Sequence, residues 1–241
     1  MKGPFKFKQF TINQDRCAMK IGTDGLLLGA WASVETEPNT ILDIGTGTGI
    51  IALMLAQRCH AESIEAIEID AAAYEQCVEN FEASPWADRL DCFHAGLDEL
   101  VDEIDEIDEC YDLIISNPPF YSEEVSSGDV ARDLARQNSS LPFDELLQAV
   151  SRLLAPEGSF AVIIPFKEEP KFLGLAEELG LYPNRITHVK GNDSAPVKRS
   201  LLQLSFKEAN TVEDELAIEV ERHRYTQEYI NLTKGFYLKI E

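Results

Sequence analysis

Positive charge is what this sequence has least of. Across 241 residues, 21 Lys and Arg stand against 43 Asp and Glu, a formal net charge of −22. Binding a phosphate chain draws on Lys and Arg, so the sum alone argues against a polyanionic partner. Salt screens charge over about 8 Å, however, so the placement of charges outweighs their total. Residues 98–112 hold nine acids and no base, whereas 1–34 carry five bases against two acids and 185–207 five against one. The acid is segregated, and the two net-basic segments leave room for an RNA of tRNA size.

Long apolar runs are missing as well. No stretch of about 20 apolar residues exists to span a membrane. Residues 1–8 (Met-Lys-Gly-Pro-Phe-Lys-Phe-Lys) lack the apolar centre of a secretory signal, which makes the cytoplasm the expected location. Cysteines 17, 59, 77, 92 and 110 are odd in number and form no CxxC pair, which argues against a disulfide framework or a zinc site. Histidines 60, 94, 188 and 223 show no metal spacing either. No metal is expected, and His94 reads as a satisfied strand residue.

What the chain does have centres on Asn117-Pro118-Pro119-Phe120, closing the apolar run Leu113-Ile114-Ile115-Ser116, a short buried strand. Two prolines fix φ at about −65° and remove two backbone donors, leaving a stiff turn rich in carbonyls. The residue before a proline is held extended. The Asn117 amide oxygen and the Pro118 carbonyl can then point the same way beside an aromatic face. Such a corner suits a planar group bearing an NH2: two acceptors hold the amine and Phe120 stacks on the ring. Alone, the string also reads as a strand-ending turn with a buried Phe.

Upstream, the strand 40–44 runs into Gly45-Thr46-Gly47-Thr48-Gly49 and a helix over 50–58. A glycine-rich strand-to-helix turn lets backbone approach a ligand closely; the GxGxG spacing departs from the dinucleotide GxGxxG. About 20 residues on, the strand 63–70 ends in acids. Glu68 is placed to accept both ribose hydroxyls of a nucleoside, and Asp70 to cap the helix 71–82. Earlier, Lys20-Ile21-Gly22-Thr23-Asp24-Gly25 reads as a turn whose Thr23 or Asp24 caps a helix through Trp31. Such a start offers N–H groups to a carboxylate.

The remaining chain repeats the pattern. Residues 5–12 alternate like a half-exposed strand. A third strand spans 90–95. After it comes a helix with Leu97, Leu100, Val101, Ile104 and Ile107 on one face and acids on the other. Residues 121–140, carrying Arg132 and Arg136, lack periodicity and read as a substrate-facing lid. A helix over 142–154, a strand over 159–164 and a helix over 171–179 complete five βα-type units. Residues 182–190 and 200–207 then form a hairpin, and 225–236 a short helix. The expected fold is α/β: a Rossmann-like, doubly wound, mostly parallel seven-stranded sheet with an antiparallel C-terminal hairpin. One domain fills 1–241, with 1–34 as an N-terminal cap and 225–241 as a C-terminal packing segment.

A glycine turn, an acid after the second strand and Asn-Pro-Pro-Phe after the fourth are far more specific together than apart. The chain resembles the class I S-adenosylmethionine-dependent methyltransferases, in the amino-methylating branch marked by Asn-Pro-Pro-aromatic. It is similar to the bacterial valine-tRNA (adenine-37) N6-methyltransferases through Phe7-Lys8-Gln9-Phe10, Arg16 to Gly25, Asn117 to Tyr121 and Tyr225 to Leu238. The resemblance implies S-adenosylmethionine as cofactor and transfer of its methyl group to an adenine N6 amine in tRNA; a monomer is expected. It implies that Gly45, Gly47 and Gly49 back onto the methionine part of the cofactor. Asp43 would orient that loop and meet the amino group, Glu68 would hold the ribose, and Thr23 and Asp24 would close the methionine side. Relatives often carry Asp after the third strand for the cofactor's adenine; here Ala95-Gly96 stands there, leaving backbone groups or Asp98 for the task. Asn117, Pro118, Pro119 and Phe120 would be catalytic, and Lys6, Lys8, Arg132, Arg136, Lys198 and Arg199 are the candidate RNA contacts. The same corner would serve a protein-glutamine or rRNA-guanine methyltransferase. A nicotinamide oxidoreductase would share the glycine loop and acid but has no use for the Asn-Pro-Pro-Phe corner.

Overall fold

The computed structural model describes residues 3–105, 110–119 and 141–240. A two-stranded hairpin, β1 (Phe5–Lys6) and β2 (Thr11–Ile12), precedes helix α1 (Thr23–Trp31). Alternation follows: β3 (Thr40–Ile44), α2 (Ile50–Arg58), β4 (Ser63–Ile67), α3 (Ala71–Glu82), β5 (Leu90–Phe93), α4 (Leu97–Asp105) and β6 (Tyr111–Ser116). After residue 140 come α5 (Phe143–Leu153), β7 (Leu154–Pro165), a 3-10 turn (Phe166–Glu168) and α6 (Glu169–Glu178). The chain ends in β8 (Tyr182–Asn192), β9 (Val197–Ser205), β10 (Val212–Glu221), β11 (Arg224–Tyr225) and α7 (Gln227–Thr233).

One sheet carries this architecture, in the order β11-β10-β8-β9-β7-β6-β3-β4-β5. From β5 to β7 every neighbour is parallel; β9 then runs antiparallel between β7 and β8. The central strands are apolar throughout because both faces are covered. Side chains alternate across the sheet, so Leu113 and Ile115 join the core under α1, α2 and α3, while Ile114 joins the core under α4, α5 and α6.

Against the expected seven strands, the sheet has nine among the described residues. The two added ones, β10 and β11, extend the hairpin edge, β10 lying parallel to β8. β10 is strongly acidic, and the structure meets its charge across the ladder: Lys190 Nζ donates to Glu215 at 2.6 Å and Thr187 Oγ1 to Asp214. Residues 5–12 form a hairpin, not one strand. The buried positions change phase from Phe7 to Phe10, and Phe7 N–H bonds the Phe10 carbonyl at 2.9 Å to close the turn. Helix α1 starts behind Gly22 with no side-chain cap, one residue before Thr23 and two before Asp24, the expected caps. Asp70 caps α3 as expected, accepting from Ala73 N. The proposed lid, 121–140, lies outside the described residues.

The chain enters the sheet at β3, builds outward through β4 and β5, and returns to the other side of β3 with β6. The order therefore reverses between β3 and β6. In open α/β sheets a ligand crevice forms at such a reversal, outside the carboxyl ends of the strands.

Candidate active site

The register across this reversal decides what meets there. Ile44 pairs with Ser116, and Ser116 Oγ donates to the Ile44 carbonyl at 3.0 Å. Gly45 and Asn117 are therefore the next residues out on adjacent strands. Helix α1 completes the corner: a Cβ on Gly25 would stand 3.4 Å from Ile50 Cγ2 and 3.7 Å from Asn117 Nδ2. The starts of α1 and α2 and the end of β6 thus converge on the half-buried Asn117, followed by buried Pro118 and half-buried Pro119. Phe120, like Arg132 and Arg136, lies outside the described residues.

The glycine turn is held from beneath and open above. Gly45 N–H and Thr46 N–H both bond the Ile67 carbonyl, at 3.0 and 3.1 Å. Gly45, Gly47 and Gly49 take φ of +69°, +59° and +80°. A Cβ on Gly45 or Gly47 would meet nothing within 4 Å among the described residues. Gly49 is different: its Cβ would fall 2.6 Å from Phe81 Cε1 and 3.0 Å from Cys77 Sγ, so this glycine lets α2 press against α3.

Two carboxylates frame the turn. Asp43 is fully buried; its Oδ2 accepts from Thr46 Oγ1 at 2.6 Å and Ala52 N at 3.2 Å, while its buried Oδ1 has no hydrogen-bond partner among the described residues. Burial, offset in part by those two bonds, pushes its pKa up to about 7. Glu68 is half-buried and supports the loop, taking Gly47 N–H on Oε2 and Asp70 N–H on Oε1, each at 2.9 Å. Each carboxylate oxygen keeps a further lone pair for a hydroxyl donor.

The sequence reading missed what ties the N-terminal segment to this turn. Asn80 is buried: it accepts from Asn13 N at 2.8 Å and donates to the Asn13 and Thr48 carbonyls at 2.9 and 2.8 Å. One turn earlier Gln76 accepts from Arg16 N at 3.1 Å, and Gln14 accepts from Ile21 N at 3.0 Å. The available signal was Gln76 and Asn80 four apart on the face of α3 that also carries Ala73, Cys77 and Phe81. The strap passes beside Glu68. Cys17 is pushed up to about 11, first by burial and then by that carboxylate. Also missed were Ile69 and Phe93, 65% and 45% exposed at the ends of β4 and β5. Ile67 pairs with Phe93, so Phe93 closes β5 beside the end of β4, two residues before Ile69. Asp98 Oδ1 lies 2.6 Å from where a Gly96 Cβ would stand, which places a carboxylate at the point where the sequence lacks one. His94 stacks on Tyr74 at 5.2 Å and bonds the Ile69 carbonyl at 3.1 Å.

The cationic candidates part company. Arg199, at the start of β9, donates from Nε to Asp24 Oδ2 at 2.8 Å, tying the hairpin edge to the first turn of α1. Its neighbour Lys198 is exposed on the same edge of the sheet as Asn117. Lys6 and Lys8 sit elsewhere. Lys8 Nζ donates to the Lys234 carbonyl, and the adjacent Gly235 carbonyl accepts from Gln57 in the last turn of α2. Helix α2 runs about 13 Å from the glycine loop to that turn, so Lys8 stands at its far end, while Lys6 pairs with Thr11 in the N-terminal hairpin.

The geometry fits a nucleoside-bearing cofactor: an open glycine cradle, a partnerless buried carboxylate oxygen for an amino group, an acid with spare acceptors for hydroxyls and an apolar pair for a base. Residues 21–180 match the methyltransferase small domain family. A predicted O-methyltransferase of Agrobacterium tumefaciens shares the fold, with a TM-score of 0.67 at 18% identity over 88% of this chain and 96% of that one. Fold and site define an S-adenosylmethionine-dependent methyltransferase. The chain is 61% identical to the tRNA1(Val) (adenine(37)-N6)-methyltransferase of Flavobacterium johnsoniae, over 98% of this chain and 100% of that one. It is 47% identical to the protein of that name in Bacteroides fragilis, over 98% of each. The chain belongs to the methyltransferase small domain family and, within it, to the family of these tRNA methyltransferases.

Proposed function

We propose that the chain methylates the exocyclic N6 amine of adenine 37 in tRNA1(Val), using S-adenosylmethionine. The observation that carries this reading is the β3–β6 register, which sets the Asn117-Pro118 acceptors beside the glycine turn. Gly45 and Gly47 hold the methionine part, Asp43 Oδ1 receives the amino group, directly or through water, Glu68 receives the ribose hydroxyls, and Ile69, Phe93 and Asp98 seat the adenine. Thr23 and Asp24, at the head of α1, close the methionine side. Bound there, the cofactor supplies an electrophilic methyl group on a sulfonium. An adenine amine is a poor nucleophile because its lone pair is delocalised into the ring. Two acceptors on its hydrogens, the Asn117 amide oxygen and the Pro118 carbonyl, favour a pyramidal nitrogen and aim the freed lone pair towards the glycine turn. Orientation of this kind can supply about 7–11 kcal/mol. The target base leaves its stack to reach the corner, and Phe120 stacks on it.

Incubation with labelled methyl donor and total tRNA, followed by nucleoside mass spectrometry, tests the reading. The expected product is N6-methyladenosine in valine tRNA. Label in the protein fraction, or in guanosine, would replace this assignment with another amino acceptor.

A further inference from the structure

Beyond the corner itself, the catalytic edge carries an aromatic side chain that the reaction as described leaves unused. Phe166 follows β7 directly and is 40% exposed. Val162 of β7 pairs with Ser116, so Phe166 lies three residues further out than Asn117, on the neighbouring strand. Three extended residues span roughly 10 Å. The ring is held in place: it meets His188 edge-on, with centroids 5.0 Å apart and planes at 81°. His188 Nε2 in turn pairs with Glu169 Oε2 at 2.9 Å, and the buried Ser200 Oγ donates to the same oxygen. A solvent-facing Phe would need no such mounting. Cations stand beside it, since Pro165 pairs with Arg199 across the β7–β9 ladder and Lys198 is the next residue along. Arg199 is held by Asp24, which leaves Lys198, exposed beside this ring, to meet a phosphate. An aromatic face beside cations is how proteins hold unpaired nucleotides.

Resting on the reading of this chain as a tRNA methyltransferase, we infer that Phe166 is a stacking platform for an unpaired base flanking the methylated adenine, with Lys198 against the adjoining phosphate. His188, Glu169 and Ser200 are positioning residues that fix the ring. The platform recognises a π face and not a base edge, so it contributes affinity and placement with little sequence preference.

Steady-state methylation of an unmodified valine tRNA transcript by wild type, Phe166→Ala, Phe166→Leu and Phe166→Trp tests this, alongside fluorescence anisotropy with the anticodon stem-loop RNA and calorimetric titration of S-adenosylmethionine. Loss of one base stack predicts that Ala and Leu each raise KM and the RNA Kd by about 5- to 150-fold, with cofactor affinity unchanged, while Trp stays near wild type. If Ala and Leu match wild type in RNA affinity, or if Leu alone restores it, the platform is overturned while the functional reading stands. If wild type methylates no tRNA, the functional reading falls, and anisotropy still judges the platform: equal RNA binding by wild type and Phe166→Ala removes it.

Discussion

At the scale of single residues, the proposed function divides the work between Asp43 for the cofactor and Asn117 for the substrate. Asp43 is an acid whose pKa rises from 3.8 to about 7 on folding, because burial opposes its charge. The folded state then binds more protons than the unfolded state between those values, so this group removes stability as pH climbs from about 4 to about 7. Thermal denaturation of the ligand-free protein across that range should show the decline, and Asp43→Asn should flatten it. Cofactor binding should run the other way. An ammonium beside Oδ1 favours the carboxylate, so affinity should rise with pH up to about 7, with proton release measurable by titration in buffers of different ionisation enthalpy. Asn117 bears on turnover instead. Asn117→Ala should lower kcat by about 100-fold or more, the scale of losing reactant alignment, while calorimetry finds cofactor affinity nearly unchanged. Wild-type turnover in that variant would take the acceptor role away from Asn117.

At the scale of elements, the three glycines of the turn answer to different constraints. Gly49→Ala combines a left-handed backbone with a collision against Phe81, so it should destabilise the fold by about 2–5 kcal/mol. Gly47→Ala keeps only the backbone strain, about 1–2 kcal/mol, and should fall mainly on cofactor affinity. Chemical denaturation and cofactor titration of both variants separate the two effects. The turn, the acid after β4 and the corner after β6 were legible in the sequence, because each is a local string at a strand end whose residue types are unusual. β10 was not legible. Half of its residues are acids, and the lysine and threonine that meet two of them come from the parallel partner β8. Nor was the hairpin over residues 5–12, where four apolar residues at nearly even spacing conceal a change of phase. Asn80 and Gln76 stayed hidden for a related reason: their partners lie 67 and 60 residues away, beyond any periodicity.

At the scale of the whole molecule, the problem is how an acidic protein holds RNA. The Arg199–Asp24 pair removes Arg199 from the list of uncommitted cations, and reversing it would set two acids together at the head of α1. Lys198 is the cleaner probe. Lys198→Glu should weaken tRNA binding and lower the slope of log affinity against log salt by about 1. A slope equal to wild type would take Lys198 out of the interface. The acid-rich helix α4 packs beside α5 on one face of the sheet, whereas Lys198 and Phe166 border the reversal between β3 and β6 from the β7–β9 side.

Asn80 has a temporal consequence. The ribosome delivers residue 13 well before residue 80, and until α3 exists nothing can accept the strap or brace the Thr48 carbonyl. The bonds that Asn80 gives to the glycine turn and to the strap therefore form only after α3 has emerged, later than the strand and helix that flank the turn.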